Sequence, residues 1–477
     1  MLVNNNKLRS IKKMKPVVNN KDSITLKSLT TPVNSNDNDT TSNKSSGSNG
    51  INSIGSHKNR VYDTIDFRLD FIRNLLNGAT IKPMVDLDNV DNLDTEVFVN
   101  PGGYKNSNNT DIQVILNKQK HDINNFIKNI GGVGGKLKYI KSGSTGHTFK
   151  GMSRADDGTI INYGIKVVAY PKKDKYGTIN NIKRPENAEL MMIRLLSYFV
   201  INKQTPHIVL PIGTFNTGIE TFVNLLDTDM ITTNREKYED FVKNYKKGEY
   251  HDTVSILISE WANMGDLLDF IKKTYLEFKL IDWKVIFFQI ISVLAVIQTK
   301  YPSFRHNDMK ANNILVQKIN KRGTVFSYMV KKNKYYVPNI GYMLKLWDFD
   351  FACIPNVVDN SKVSAKWTSE INIKPVMNRY YDMHYFFNTL IKRGFFPQLM
   401  TEKSIDQEVK DFVNRIVPPK YQHYNEKGES FVTKRGRILI NDEYLTPDVV
   451  LSSDPFFKCF RSETADLKQL INSCNSK

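Results

Sequence analysis

The run HNDMKANN, residues 306–313, sets a carboxylate, an ammonium group and a side-chain amide at short fixed intervals: Asp308, Lys310 and Asn313. That set suits phosphoryl transfer. A hydroxyl attacking phosphorus needs an acceptor for its proton, and Asp308 can serve. Negative charge builds on the transferred oxygens, where the Lys310 cation helps. The Asn313 amide oxygen is a hard ligand of the kind magnesium takes. One amide does not hold a metal, and a second, charged ligand is expected downstream in LKLWDFDFACI, where Asp348 follows a short apolar strand.

These groups need a frame. DWKVIFFQIISVLAVIQTK (282–300) reads as a long amphipathic helix leading into the loop, and NILV (313–316) as a short strand leaving it. The stretch 283–298 is the most apolar in the chain, but Lys284, Gln289, Ser292 and Gln298 interrupt it and it is short for a membrane span, so a buried helix is expected. Upstream, KLKYI, HTFKGMS and INYGIKVVAY follow one another at hairpin spacing, then RPENAELMMIRLLSYFV reads as a helix with Pro185 at its start. HIVLPIGTF and VSILISE read as strands, separated by a polar insert at about 222–250. A small sheet-rich unit is therefore followed by a larger helical one. Before them, YDTIDFRLDFIRNLLNG (62–78) and DIQVILNKQKHDINNFIKNI (111–130) read as helices, and GGVGG (131–135) as a hinge. Residues 1–58, rich in Asn, Ser, Thr and Lys, bury too little apolar surface to fold alone and read as a flexible basic arm.

The chain has 477 residues and a net charge of +18. That balance admits an acidic partner or an anionic membrane surface, met through the arm, although scattered lysines account for much of the excess. The first residues hold no apolar run of a signal peptide, and no transmembrane segment is expected. Cys353, Cys459 and Cys474 show no CxxC spacing, so neither a disulfide framework nor a zinc site is expected, and a reducing compartment fits.

HNDMKANN with WDFD resembles the catalytic loop and metal motif of eukaryotic-type serine/threonine protein kinases. IKSGSTGHTFKG (140–151) resembles that family's glycine-rich loop, with Lys141 in the place of the first glycine. YGIKVV resembles the V-A-I-K strand, and ISEWANMGDLLDFI the hinge. YYDMHYFFNTLI resembles the long central helix, with Asp382 as a buried brace, and LTPDVVLSSDPFF the last helix. The resemblance covers about 136–460. It implies an α+β, bilobal fold: a β-rich N-lobe at 136–262 and a helical C-lobe at 263–460, preceded by a helical extension at 59–135 and followed by a tail at 461–477. It also implies ATP and Mg2+ as cofactors and protein Ser/Thr hydroxyls as substrates. ATP would lie against Ser142, Gly143, Ser144 and Gly146. Lys166 would reach its α- and β-phosphates, paired to Glu189 or, failing that, Glu186. Glu260 and Ala262 would offer backbone atoms to adenine, with Asp266 near the ribose. Asp308 and Lys310 would be catalytic, and Asn313 and Asp348 would hold the metal.

The chain departs from the pattern in places. Asn307 replaces the arginine before the catalytic aspartate, so a phosphate-bound activation loop is not expected. Asp350 replaces a glycine and adds a carboxylate near the metal. The step of 35 positions from Asn313 to Asp348 leaves room for extra strands, and Glu370 lacks a clear arginine partner near Thr446. Such departures resemble the divergent kinases of poxviruses and giant DNA viruses, implying host cytoplasm or virion. A small-molecule kinase and a pseudokinase scaffold are the alternatives. Lys310 and the final helix speak against the first, and the presence of Lys166, Asp308, Asn313 and Asp348 against the second.

Overall fold

The computed structural model describes residues 64–87, 116, 118–130, 135–143, 145–154, 158, 160–320, 323–425 and 430–475. The basic arm, Ser144 and most of the GGVGG run lie outside them. The described chain is a mixed α+β fold with a β-sheet N-terminal region and a helix-rich C-terminal region.

The sheet has five antiparallel strands, β1 (Lys136–Ser142), β2 (His147–Arg154), β3 (Ile160–Pro171), β4 (Pro211–Gly218) and β5 (Tyr250–Glu260), in the order β1-β2-β3-β5-β4. Helix α1 (Ile65–Leu76) buries Ile65, Leu69, Ile72 and Leu75 at its packed face, and the Thr64 hydroxyl caps it by accepting from Phe67 N at 3.2 Å. Of the helix expected over 111–130, the described residues carry α2 (Ile123–Asn129), and 111–115 and 117 lie outside them. Residues 118–122 instead run extended along the outer edge of β4, with His121 N donating to Asn216 O at 2.8 Å and Asn216 N to Gln119 O at 2.9 Å. Two physical reasons compete successfully with helical periodicity. The open edge of β4 offers backbone partners. The Lys118 ammonium is also drawn into a buried polar site, donating to Asn187 Oδ1 and Ser255 Oγ at 3.0 Å each, where burial lowers it to about 7 despite the opposing pull of Glu186.

Helix α3 (Pro185–Ile201) crosses between sheet and helical region. The polar insert before β5 folds as helix α4 (Arg235–Lys246), whose Tyr238 and Phe241 rings pack on the His147 ring at 4.5 and 4.6 Å. Helices α5 (Leu267–Thr274) and α6 (Leu280–Lys300) follow. Among the described residues α6 alone is long and apolar enough to cross a membrane, and 83% of its most apolar window is buried inside the fold. Three of its four polar interruptions are docking points, and Ser292 bonds within the helix to Gln289 O at 3.0 Å. Gln289 donates to Tyr342 O at 3.1 Å and accepts from Leu344 N at 2.8 Å, Gln298 donates to Arg379 O at 3.1 Å, and Lys284 pairs with Glu408 at 2.9 Å.

Beyond α6 stand β6 (Ile314–Lys318), the inserted hairpin β7 (Val325–Val330) and β8 (Asn333–Pro338), and β9 (Tyr342–Leu346), which pairs with β6. Helices α7 (Lys366–Glu370), α8 (Tyr381–Leu390), α9 (Gln407–Ile416) and α10 (Pro447–Ser453) complete the region. The segment after 460 carries α11 (Leu467–Asn475). Cys459 and Cys474 form a disulfide with Cα atoms 5.1 Å apart, against the expectation of no disulfide framework. The reason is tertiary: α11 folds back against residues 455–461, which no local spacing reveals.

Candidate active site

The loop after α6 is held by its backbone. Arg305 and Cys353 exchange N–H···O bonds of 3.1 and 3.0 Å, tying the loop to the segment after β9. From α8, the fully buried Asp382 carboxylate accepts from His306 N at 2.7 Å and Asn307 N at 2.8 Å. It is the brace expected of it. Asn307 and Asp348 both sit in the left-handed region, with φ of 62° and 64°. Asparagine and aspartate tolerate that conformation better than most side chains, which is a local reason for Asn307 apart from any lost arginine.

Within this frame Asp308 Oδ2 accepts from Lys310 Nζ at 2.7 Å and Asn313 Nδ2 at 3.0 Å. With its amide nitrogen turned to Asp308, Asn313 has its side-chain oxygen left for a cation. Trp347 N donates to Asn313 O at 3.1 Å, so the start of β6 and the end of β9 bring Asn313 beside Asp348.

Lys166 lies on β3, and its Nζ stands 2.5 Å from Glu189 Oε1 on α3 and 2.9 Å from Asp348 Oδ1. Burial opposes charge at this point, but Asp348 and Glu189 outweigh it and hold the ammonium above its ordinary pKa. Burial likewise works against the Asp348 carboxylate, and Lys166 overcomes it and holds the group below the usual range. Glu186 faces away and pairs with Arg184 at 2.8 Å, so the geometry selects Glu189 of the two.

A cavity of about 320 Å³ lies between sheet and helical region. Lys166, Asn313 and Asp348 line it together with Gly143 and Gly146 and with Glu260, Ala262 and Asp266. A Cβ on Gly146 would come 2.5 Å from Val167 O, so only glycine fits there. Lys141 reaches across to Asp266 at 3.6 Å, and Asp266 also caps α5 by accepting from Asp269 N at 3.1 Å.

Two site residues are placed differently from a simple lining role. The Ser142 hydroxyl faces inward, bonded to Tyr139 OH and His147 Nδ1 at 2.7 Å each, because the register of β1 shifts between Tyr139 and Lys141 and brings position 142 to the buried side with Tyr139. The Glu260 side chain also faces away from the cavity. It accepts from Arg68 Nε at 2.9 Å, Lys345 Nζ at 2.7 Å and Leu210 N at 2.7 Å. Burial alone would raise that carboxyl, but Arg68 and Lys345 hold it at about 2. Asp350 forms an ion pair with Lys362, so its charge is compensated locally.

Asp348 and Asn313 present two hard oxygens on one cavity, which fits magnesium: that ion commonly takes one or two protein oxygens and completes its shell from phosphate and water. Among the described residues no cluster of three or more His, Cys, Asp or Glu forms a metal site. Sequence reasoning missed Arg68, Lys345 and above all Arg437, whose Nη2 lies 2.5 Å from Asp308 Oδ1. No local signal ties a residue to a partner 129 positions earlier. Arg437 is also the arginine preceding Thr446, but its partner is Asp308. Glu370 makes no ion pair among the described residues.

Comparison with known proteins points the same way. Residues 175–434 match the family described as poxvirus serine/threonine protein kinase. A protein of Acanthamoeba polyphaga mimivirus, named as a serine/threonine-protein kinase, is 44% identical over 400 residues, covering 83% of this chain and 80% of the relative. A second mimivirus protein with a kinase name is 33% identical over 206 residues, 40% of this chain and 50% of its own length. Serine/threonine-protein kinase 2 of Swinepox virus (strain Kasza) is 32% identical over 134 residues, 27% of each chain. With more than half of its length matched and a near full-length relative, the chain belongs to the poxvirus serine/threonine protein kinase family.

Proposed function

We propose that the chain is an ATP-dependent protein serine/threonine kinase acting with Mg2+ in a viral setting, with residues 136–262 as the N-lobe and 263–460 as the C-lobe of a bilobal enzyme. The observation that carries the reading is Lys166, bonded at once to Glu189 and Asp348 at the wall of a cavity that Asn313 also lines. Magnesium, held by Asp348 and Asn313, would neutralise phosphate charge. The protein groups do the rest. Lys166 orients the α- and β-phosphates under the glycine-rich turn. Backbone atoms of Glu260 and Ala262 take adenine, and Asp266 lies near the ribose, where it must exchange its Lys141 contact for sugar hydroxyls. The substrate hydroxyl oxygen bonds to the γ-phosphorus as the bond from that phosphorus to the β-bridging oxygen breaks. Asp308 takes the hydroxyl proton, Lys310 steadies the transferred oxygens, and ADP leaves. Lys310 supports Ser/Thr rather than Tyr as acceptor.

Radiolabelled γ-phosphate transfer to casein, myelin basic protein and histone, with phosphoamino-acid analysis, tests this. Label is expected on serine or threonine. Asp308→Ala should lower kcat by about 10²–10⁴-fold, Asp348→Ala should abolish transfer, and Lys166→Met should weaken ATP use. Label on choline or an aminoglycoside but on no protein would overturn it.

A further inference from the structure

Asp308 is held by more than its own loop. Lys310 and Asn313 approach Oδ2, whereas Oδ1 faces Arg437 Nη2 at 2.5 Å. Arg437 is only 7% exposed. Its Nη1 donates to Asn307 O and to the Tyr381 hydroxyl, the latter at 3.2 Å, and its guanidinium carbon lies 3.9 Å from the centre of the Tyr385 ring. The residue closes a tight turn in TKRGR. Gly436 N donates to Thr433 O at 2.8 Å, Thr433 N to Arg437 O at 2.8 Å, and Arg437 N to Thr433 Oγ1 at 3.0 Å. Gly436 has φ of 85°, so a side chain is disfavoured at the bend. Asn388 on α8 donates to Gly436 O at 2.9 Å, which docks the turn on the helix that also carries Asp382, Tyr381 and Tyr385.

We propose that Arg437 is a positioning residue for Asp308, fixing its carboxylate rotamer from the 433–437 turn. A guanidinium suits the task because separate N–H groups in one plane can hold the Asn307 carbonyl and the Asp308 carboxylate together while the ring of Tyr385 supports its face. A carboxylate offers about four lone-pair sites. Arg437, Lys310 and Asn313 occupy three, which leaves one on Oδ1 for an incoming hydroxyl. The inference rests on the kinase reading above.

The test uses the full chain with its best protein substrate and Mg-ATP, comparing wild type, Arg437→Ala, Arg437→Lys, and Arg437→Ala with added guanidinium ion at low millimolar concentration. Affinity for a fluorescent ATP analogue is measured on each. Arg437→Ala is expected to lower kcat by about 10–100-fold, the scale on which small misplacement of a reacting group acts, with nucleotide affinity and KM for ATP near wild type. Guanidinium ion should restore part of the rate, and Arg437→Lys should retain more activity than Arg437→Ala. An unchanged kcat overturns the proposal. So does a faster Arg437→Ala enzyme, which would make the turn a block on the site. Loss of ATP affinity together with kcat, with no rescue by guanidinium or by lysine, overturns it too, because that pattern marks a structural role alone. A wild-type chain that binds the analogue but labels no protein refutes the kinase reading itself, and the inference falls with it.

Discussion

At Lys166 two carboxylates compete for one ammonium, at 2.5 Å for Glu189 and 2.9 Å for Asp348. The two contacts have different consequences. Glu189 comes from α3 and sets where the lysine tip sits, while the nearby lysine tip holds the part-exposed Asp348 carboxyl below its usual range. Glu186, one helical turn earlier, is committed to Arg184. Glu189→Gln is therefore expected to lower kcat/KM for ATP by about 10-fold, the worth of a weakened charge-assisted hydrogen bond. Glu186→Gln should leave it near the wild-type value. Steady-state kinetics over a range of ATP concentrations separate the two, and equal losses would reject the assignment.

Among the elements, α1 has the plainest structural task. Its Arg68 is 1% exposed and reaches Glu260, Pro206 O at 2.8 Å and Ile208 O at 2.6 Å. Lys345 on β9 meets the same carboxylate. One buried network thus joins the N-terminal extension, the end of β5 and the strand that leads to Asp348. Removing one partner leaves a buried charge with half its compensation. Arg68→Met is expected to cost about 3–5 kcal/mol of stability, read as a lower denaturant midpoint. A loss under about 1 kcal/mol, the worth of an exposed pair, would mean the network contributes nothing special. The β7–β8 hairpin is tied in comparably: its Tyr328 and Tyr335 rings pack on Phe288 of α6 at 5.1 and 5.3 Å, so the insert is part of the helical core.

Across the whole molecule, His207 connects the approach to β4 with β9 and β7. Its Nδ1–H donates to Leu344 O at 2.8 Å, and Nε2 accepts from Tyr328 OH at 3.0 Å. Burial pushes its pKa down to about 3, with a smaller upward pull from the Leu344 carbonyl. The sign follows directly. Between about 6.5, the ordinary histidine value, and the folded value, the unfolded chain takes up a proton that folded His207 does not. Stability falls as pH falls through that window, by at most roughly 1.4 kcal/mol per unit for one proton. Wild type should therefore lose about 2 kcal/mol more than His207→Gln between pH 7 and pH 5, measured by urea unfolding of both at each pH. Other titrating groups are common to the two proteins and cancel. Equal losses would show that His207 is not held neutral.

The sequence by itself determined the polar loop at 306–313, the lysine strand, the order of sheet and helices, and the buried nature of residues 283–298. Those features are local: they follow from the spacing of a few polar groups and from apolar periodicity, which the chain carries wherever it folds. The added strands after Asn313 were legible for the same reason. Tertiary structure alone decided between Glu189 and Glu186, since both lie on one helix and only its rotation against β3 selects one. It straightened residues 118–122 along β4, because an open strand edge and a buried lysine site outweigh helical propensity. It joined Cys459 to Cys474 and brought Arg437 to Asp308. Each of these depends on where a distant segment comes to rest, and that is set by packing of the whole core rather than by residues near in sequence.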